Sequence, residues 1–492
     1  MDEIKHSHTD VTGQIDLSLV RHCLEKGDAK LALQYCYELL ARDPQNVQAL
    51  AFGAVASRSL GWLDDALDLI NRALVVAPNQ LVIHSLRGDV LLLQKRPVQA
   101  LGALLKAREL GDFSAQTCFN IGAAYLQLAA YEDAKMYFDQ TLAIDPQMVA
   151  AHVNKGLVEH SLMNLEAALR CFDVALFIDP KNIEAQWNKS HVLLTLGRYE
   201  EGFQLYETRW SHPQVKIKKR KFDSKLWLGQ ESLLGKTILL YAEGGFGDTI
   251  QFIRYAKIFD PDVRLIIQCQ VPLMELISGM GLCAEVIAPG ETPPPHDFHC
   301  PLMSLPLAFG TTIETIPQFD RYIFAPAGHL KKWSAFVGQM TGPKIGIVAR
   351  GSSSFSNDKN RSFDLKALVA QLPQHASYVV LQKELSDDEY AFIRSYENIY
   401  APGDALQSFS DTAAICVHLD QVISVDTGVA HLSAALGTPT TVLLAYRPDW
   451  RWGANSATSA WYPGARLIRQ TRLEEGRDAQ SIWHMDCLEG FT

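Results

Sequence analysis

Two consecutive stretches decide the fold of the first half of the chain: AQTCFNIGAAYLQLAAYEDAKMYFDQTLAIDPQM (115–148) and VAAHVNKGLVEHSLMNLEAALRCFDVALFIDPKN (149–182). Each carries a glycine, then an alanine, then a proline at matching positions, namely Gly122 and Gly156, Ala134 and Ala168, and Pro146 and Pro180. Small residues let two paired helices approach closely, and a proline ends the second helix because it cannot continue the hydrogen-bond ladder. The stretches therefore predict repeated helix pairs.

The same 34-residue spacing continues on both sides of these stretches. The matching positions hold Pro44, Pro78 and Asp112, then Ala32, Ala66, Ala100 and Gly202, and also Gly88. Six registers follow: 13–46, 47–80, 81–114, 115–148, 149–182 and a degenerate 183–216. This period is typical of a tetratricopeptide (TPR) array. The sequence predicts an α-solenoid over 13–216 whose concave surface suits an extended peptide or a protein partner.

Three asparagines recur every 34 residues on the predicted first helices: Asn120, Asn154 and Asn188. In a solenoid groove they are placed to hydrogen-bond the backbone of a bound peptide. The alternative is that they are polar residues on helix surfaces or between repeats. Both interpretations stay open from the sequence.

The periodicity changes after a basic linker, 217–235. Apolar strands then alternate with helices over 236–328 and again over 340–470, and a further helix is expected in the tail, 471–492. Such alternation predicts parallel sheets with right-handed crossovers, so the second half is expected to be two Rossmann-like α/β lobes. Ligands bind at the carboxyl ends of the strands in such sheets.

The stretch SVDTGVAHLSAALG (424–437) passes from a strand into a helix. The backbone N–H groups of the first helical turn and the positive end of the helix dipole predict a site for a diphosphate. The residues expected there are Asp426, Thr427, Gly428 and His431. Alternatively, Asp426 or Thr427 only caps the helix.

A second glycine-rich turn, EGGFGDT (243–249), contains Gly244, Gly245 and Gly247. It lacks the Lys-Ser/Thr pair of a nucleoside-triphosphate loop. Asp248 is a candidate general base for an acceptor hydroxyl. A helix cap at this position is an equally good interpretation.

Positive charges follow the first strand of the second lobe, on Arg350, Lys359 and Arg361. They are predicted to neutralise a leaving diphosphate, because the loop leaves the carboxyl end of a strand. The other interpretation is an ordinary polar surface loop. Gln382 and Lys383 leave the next strand in the same direction and are expected to meet the base or ribose of a nucleotide.

Composition excludes several classes of protein. The 492 residues carry 45 Lys and Arg against 55 Asp and Glu, a net charge of -10, which argues against a protein that coats nucleic acid. No membrane-spanning stretch, signal peptide or Cys-x-x-Cys pair is found, so a cytoplasmic location is expected. The group His296, His299 and Cys300 lacks the further ligands of a metal site, and no metal is predicted.

Several separated motifs resemble the bacterial TPR-containing glycosyltransferases related to the heptosyltransferases. They are SVDTGVAHLSAALGTPTTVLL (424–444), YRPDWRWG (446–453), WYPGARLIRQ (461–470), EGGFGDTIQFIRY (243–255), NDKNRSFDL (357–365) and DFHCPLMSLPLAFGT (297–311). The resemblance implies a GT-B pair of lobes, with the acceptor in the first and a nucleotide-sugar in the second. It also implies a metal-independent reaction in which Asp248 is the base and the second turn holds the diphosphate.

The resemblance further implies the acceptor, because relatives with TPR arrays include protein glycosyltransferases, some acting on flagellin. We therefore expect an inverting enzyme that needs no cofactor and glycosylates a Ser or Thr hydroxyl of a protein held by the array. Two alternatives remain. One is transfer to lipopolysaccharide or another glycan, as in heptosyltransferases, and the other is a non-catalytic scaffold whose α/β half binds a nucleotide.

Overall fold

The computed structural model describes residues 16–215, 217, 219–351 and 361–470. The predicted tail helix over 471–492 lies outside these residues. The chain forms two compact units, Met1–Pro180 and Lys181–Thr492. The two units are described in turn.

The first unit consists of helices joined by short turns, two to each repeat. Within residues 16–180 the helices are α1 (Leu17–Glu25), α2 (Ala29–Arg42), α3 (Val47–Ser59), α4 (Leu63–Val76), α5 (Leu81–Leu93), α6 (Pro97–Glu109), α7 (Ala115–Gln127), α8 (Tyr131–Ile144), α9 (Val149–Ser161) and α10 (Leu165–Ile178). The repeat prolines come two residues after α2, α4, α8 and α10, as the spacing predicts.

The recurring glycines explain how closely the helices of a pair approach. A Cβ atom built on Gly122 would lie 2.8 Å from Cε1 of Phe138, and one on Gly156 would lie 2.5 Å from Cε1 of Phe172. A Cβ on Gly88 would overlap the side chain of Leu104. Each glycine of an odd-numbered helix therefore provides the space for a large apolar side chain of the next helix.

The second unit begins with the last helix pair, α11 (Ile183–Thr195) and α12 (Tyr199–Tyr206). This pair shares its core with the α/β part. The ring of Tyr199 lies 5.5 Å from that of Trp461, and the ring of Phe203 lies 5.5 Å from that of Trp450. All four aromatic side chains are buried, so the sixth predicted repeat packs with the sheets that follow it.

The first sheet has five parallel strands in the order β1-β5-β2-β3-β4. They are β1 (Lys225–Leu226), β2 (Thr237–Tyr241), β3 (Arg264–Gln268), β4 (Ala284–Ile287) and β5 (Phe298–Pro301). The chain runs from β2 outward through β3 and β4, then returns to the other side of β2 as β5. The strand order therefore reverses between β2 and β5, which is where a doubly wound sheet opens a crevice for ligands.

The second sheet has six parallel strands in the order β11-β10-β9-β6-β7-β8. They are β6 (Lys344–Val348), β7 (Ser377–Val380), β8 (Ile399–Tyr400), β9 (Gln421–Val425), β10 (Thr440–Leu444) and β11 (Ala465–Arg469). Here the order reverses between β6 and β9. The segments after these two strands contain Arg350 and Asp426, so the topology brings two predicted ligand-binding regions to one crevice.

Helices cover both sheets and connect them. They are α13 (Phe246–Phe252), α14 (Val271–Ser278), α15 (Leu305–Ala308), α16 (Ala327–Gly338), α17 (Leu365–Val369), α18 (Asp387–Arg394), α19 (Phe409–Val417) and α20 (Gly428–Ala435). The predicted fold class, an α-solenoid followed by α/β lobes with parallel sheets, is confirmed. Among the described residues, no helix combines the length and the apolar character that crossing a membrane requires.

Candidate functional site

The turn between β9 and α20 contains the predicted diphosphate-binding residues. Thr427 precedes α20 in an extended conformation, and its side chain makes no capping hydrogen bond. Its hydroxyl instead lies 2.9 Å from Oγ of Ser424. Because the Thr427 side chain does not occupy the N–H groups of the first helical turn, they are available to an anion.

Asp426 and His431 lie at this turn, where His431 is buried and Asp426 is partly buried. His431 Nε2 is 3.9 Å from Asp426 Oδ1, and Arg361 Nη1 donates a hydrogen bond of 2.6 Å to the Asp426 carbonyl. Burial, together with the neighbouring Asp449 carboxylate, raises the pKa of Asp426. Burial lowers the pKa of His431 to about 3, with a smaller contribution from Arg451, so its imidazole is neutral at physiological pH.

The turn between β2 and α13 holds Asp248. The helix begins at Phe246, so Asp248 lies inside its first turn and not directly before the helix. Asp248 Oδ2 accepts a hydrogen bond of 2.7 Å from the N–H of Gly245, which is a capping interaction. Oδ1 accepts a bond of 2.5 Å from Arg451 Nη2. The carboxylate remains one-quarter exposed, so capping leaves it accessible.

The two turns meet through their small residues. A Cβ atom on Gly247 would lie 2.7 Å from Cδ2 of His431, and one on Gly244 would overlap Oδ2 of Asp248. A Cβ on Gly245 would make only an ordinary contact, 3.6 Å from the same oxygen. The absence of a side chain at Gly247 thus allows the Asp248 turn and the His431 turn to touch.

Arg451 connects the two lobes and was not among the predicted site residues. It lies in a short 3₁₀ turn, Trp450–Trp452, and Asp449 precedes it. Its Nη1 donates to Asp449 Oδ1 at 2.8 Å while Nη2 donates to Asp248. The sequence signal for Arg451 is the run of charges and tryptophans in YRPDWRWG. This run carries the family resemblance but does not by itself indicate which residue Arg451 contacts.

Glu243 was also missed. Its Oε1 lies 3.2 Å from Arg209 Nη2 and accepts a bond of 3.2 Å from the N–H of Met303, whereas its buried Oε2 has no partner among the described residues. Burial raises the pKa of Glu243 to about 7 despite the opposing effect of Arg209. The sequence shows a glutamate directly before a glycine-rich turn, but it does not show that this side chain is buried.

The predicted nucleotide-binding residues after β6 and β7 have partners within the protein. Gln382 Oε1 accepts bonds from the N–H groups of Ala349 at 2.7 Å and Arg350 at 3.2 Å. The Arg350 guanidinium forms a two-pronged ion pair with Glu389. Lys383 is exposed, and Lys359 lies outside the described residues. Contacts of these side chains with a nucleotide stay predictions.

The three recurring asparagines differ in surroundings. Asn120, on α7, is buried, and its Oδ1 accepts a bond of 3.0 Å from Gln116. Asn154, on α9, is partly exposed. Asn188, on α11, is also partly exposed and donates a bond of 2.9 Å to the Glu184 carbonyl. Asn188 belongs to the same compact unit as Asp248.

The His296, His299 and Cys300 group is dispersed among other contacts. His299 Nδ1 lies 2.9 Å from Oγ of Ser224, and Cys300 is fully buried. Within 16–215, 217, 219–351 and 361–470, no cluster of three His, Cys, Asp or Glu residues is arranged to hold a metal ion.

Comparison with known families and proteins agrees with the motifs. The model of glycosyltransferase family 9 (heptosyltransferase) matches residues 405–476, and a tetratricopeptide repeat model matches residues 119–183. Protein FlbA of Caulobacter vibrioides is 24% identical over 495 residues, which cover 94% of this chain and 75% of FlbA. The resemblance to TPR-containing glycosyltransferases is confirmed, and the family 9 domain supports glycosyl transfer in general.

Solved structures of helical repeat proteins are similar to the first part of the chain. YrrB, described as a TPR protein with an unusual peptide-binding site, shares 22% identity, with a TM-score of 0.30 over 34% of this chain and 87% of YrrB. PilF of Pseudomonas aeruginosa shares 18% identity, with a TM-score of 0.36 over 40% of this chain and 90% of PilF. PilW, a type IV pilus biogenesis factor, shares 18%, with a TM-score of 0.38 over 41% and 93%.

Proposed function

We propose that the protein is a glycosyltransferase that moves a sugar from a nucleotide-sugar donor to a Ser or Thr hydroxyl of a protein acceptor, flagellin included. The observation that carries the proposal is the contact between the two turns, Gly247 against His431, which brings the Asp248 carboxylate and the start of α20 to one crevice. Asp248, the proposed base for the acceptor hydroxyl, is then close to the N–H groups of α20 that would bind the diphosphate of the nucleotide-sugar.

In the proposed reaction the acceptor hydroxyl attacks the anomeric carbon of the sugar. Asp248 accepts the hydroxyl proton as the new C–O bond forms, and the bond from the anomeric carbon to the phosphate oxygen breaks. The nucleotide diphosphate leaves with the electron pair, and its charge is stabilised by the N–H groups of Gly428 and its neighbours and by Arg361. Attack opposite the leaving group inverts the anomeric centre. This proposed step accounts for every bond, proton and electron pair, and it does not include a metal ion.

Arg451 is proposed to hold Asp248 in place between the lobes. Its guanidinium donates to both Asp248 and Asp449, which fixes the direction of the Asp248 carboxylate. A base within a lobe crevice needs such positioning because small displacements of reacting groups lower rates steeply. The Asp248 carboxylate accepts hydrogen bonds from Gly245 and Arg451 and is partly exposed. Its remaining lone pairs can receive the proton of the acceptor hydroxyl.

The acceptor is proposed to be a polypeptide because the chain joins its glycosyltransferase domain to TPR repeats. Solenoids of this type bind extended peptides on their concave surface. Asn120, Asn154 and Asn188 are proposed to hydrogen-bond that peptide. The protein then needs both a donor nucleotide and a protein partner.

The test is transfer of sugar by the Asp248→Asn variant of the full chain. Removing a general base is expected to lower kcat by about 10²–10⁴-fold, while nucleotide affinity stays within about threefold because Asp248 lies on the acceptor side. Asp364→Asn is the matched control. Asp364 also accepts a capping bond, 2.9 Å from the N–H of Ala367, but at α17. Full turnover by Asp248→Asn would remove Asp248 from the mechanism.

The class of acceptor is decided by a second measurement. Purified flagellin, other candidate proteins and lipopolysaccharide are incubated separately with the donor and wild-type protein. Transfer to lipopolysaccharide alone would overturn the protein acceptor and favour the heptosyltransferase-like alternative.

A further inference from the structure

A chain of hydrogen bonds lies behind His431, on the side away from Asp426. His431 Nδ1 is 3.0 Å from the hydroxyl of Tyr462, which is 3.3 Å from the hydroxyl of Tyr322. The Tyr322 hydroxyl donates to the carbonyl of Ile250 at 2.9 Å and accepts from Arg254 Nη2 at 3.1 Å. Arg254, Tyr322, Tyr462 and His431 are all buried.

The protons of this chain can be assigned by counting donors. Each tyrosine hydroxyl has one proton, and Tyr322 uses its proton on the Ile250 carbonyl, which can only accept. Tyr462 then has two possible acceptors, the Tyr322 oxygen at 3.3 Å and His431 Nδ1 at 3.0 Å. The shorter contact is the better hydrogen bond, and the Tyr322 oxygen is already engaged by the Arg254 guanidinium. The Tyr462 proton therefore goes to His431 Nδ1.

The other ring nitrogen gives the same answer. His431 Nε2 lies 3.9 Å from Asp426 Oδ1. An unprotonated Nε2 would direct its lone pair toward a carboxylate, whereas an Nε2–H group would be attracted to it. Two independent contacts therefore favour the same tautomer, with the proton on Nε2.

We propose that Tyr462 is a positioning residue that holds His431 as the neutral Nε2–H tautomer, so that this N–H donates a hydrogen bond to the diphosphate of the nucleotide donor. The proposal rests on the proposed function in one respect, the presence of a diphosphate at the start of α20. Tyr462 orients the ring and His431 contacts the diphosphate. Their positions in the sequence, 31 residues apart, do not indicate these linked roles.

The charge state of His431 makes the tautomer decisive. Burial lowers the pKa of His431 to about 3, and the arginines that face it, Arg451, Arg254 and Arg361, oppose protonation while Asp449 favours it. A neutral imidazole has a single N–H. If that proton lay on Nδ1, the nitrogen nearest Asp426 would present a lone pair to the phosphate oxygens and repel them.

The tautomer is measured by NMR on the full chain labelled with [¹⁵N]histidine. The ¹⁵N shift of each ring nitrogen separates a protonated from an unprotonated nitrogen, and His431→Gln identifies the signals by their loss. The expected wild-type spectrum has a protonated Nε2 and an unprotonated Nδ1. Tyr462→Phe is expected to raise the Nδ1–H fraction. A wild-type spectrum with the proton on Nδ1 would overturn the proposal.

The consequence for binding is measured by calorimetry with ADP, GDP, UDP and CDP. Tyr462→Phe is expected to weaken the binding of the best-bound nucleotide by about three- to tenfold, an effect of the size of one hydrogen bond. Tyr378→Phe is the matched control, because Tyr378 is also buried and its hydroxyl bonds the Pro373 carbonyl at 2.7 Å, but on β7. It is expected to bind the nucleotide as wild type does.

The two proposals fail in different ways. If the tautomer is as expected but Tyr462→Phe binds the nucleotide as tightly as wild type, the positioning role is wrong and the donor site stands. If wild type binds none of the four nucleotides, the donor site of the proposed function is wrong, and the NMR spectrum alone still decides the tautomer.

Discussion

The two glycine-rich turns of the second unit have the same local architecture but opposite electrostatics. Each follows a buried parallel strand and opens a helix. In the β2–α13 turn, Asp248 is partly exposed and paired with an arginine. In the β9–α20 turn, His431 is buried and its imidazole is neutral. The same order of strand, turn and helix thus presents a carboxylate on one side of the crevice and neutral N–H donors on the other.

This difference matches the two halves of a group transfer. A base must be ionised and reachable by its substrate, whereas a site for a leaving diphosphate needs fixed dipoles that require no rearrangement. The comparison teaches that burial, rather than the turn motif, assigns the chemistry of each turn.

The largest effect is expected from a variant that moves the β2–α13 turn away from the β9–α20 turn. Gly247→Ala places a Cβ atom 2.7 Å from His431 Cδ2, so the ring or the turn must shift. We expect kcat to fall by about 10²-fold, because displacements of about 1 Å at reacting groups have effects of that size. Turnover is measured with saturating donor and acceptor.

The matched control for that variant is Gly328→Ala. Gly328 is also the second residue of a helix, α16, and a Cβ there would meet nothing within 4 Å. Unchanged kcat in Gly247→Ala, alongside unchanged kcat in the control, would show that the contact between the turns is unimportant.

A second test changes the buried carboxyl before the first turn. The pKa of Glu243 is raised to about 7 from an ordinary value of 4.5, so the folded state binds a proton more tightly than the unfolded state. Stability is then lost as pH rises from about 4.5 through 7. Glu243→Gln avoids this loss, and its advantage over wild type is expected to grow from pH 5 to pH 8.5, by up to about 3 kcal/mol. The melting temperature is followed across this range.

Glu389 supplies a control of opposite sign. Its hydrogen bonds with Arg350 lower its pKa to about 2, so its contribution to stability is present above the ordinary value and is lost as pH falls. Glu389→Gln is therefore expected to destabilise the protein at pH 7 and to have less effect toward pH 3. Parallel pH profiles for the two variants would contradict both assignments.

The smallest expected effect concerns the acceptor. Asn188→Ala removes an amide from α11, and the acceptor KM is expected to rise about fivefold, the loss of roughly 1 kcal/mol for one hydrogen bond. The donor KM is expected to stay unchanged, because the proposed donor site is the β9–α20 turn and not α11. A rise in donor KM with an unchanged acceptor KM would reverse the assignment of the two sides.

The sequence predicts the parts of this architecture that depend on local pattern. The 34-residue spacing places Gly122 and Gly156 against the phenylalanines of the next helices, and the periodicity of the second half predicts parallel strands. The 424–437 stretch is a strand followed by a helix, as predicted. These features follow from the small size of glycine and from alternating apolar residues.

Pairings between distant residues are beyond such patterns. Asp248 and Arg451 are 203 residues apart, and their bond exists only once both lobes have folded. The sequence shows that Arg350 is positively charged, but the pairing of this charge with Glu389 depends on where α18 lies. The orphaned oxygen of Glu243 likewise depends on the depth of β2 in the sheet. Packing decides these charges, and packing is a property of the whole unit.

The boundary after Pro180 also has a practical consequence for exchanging TPR repeats between related proteins. Because Tyr199 and Phe203 are interior residues of the half that contains both sheets, a hybrid joined near residue 216 would import foreign side chains beside Trp450 and Trp461. A hybrid joined between Pro180 and Lys181 keeps this aromatic core native. An exchange of repeats should therefore use the first five and leave the sixth with the α/β part, whose core it shares.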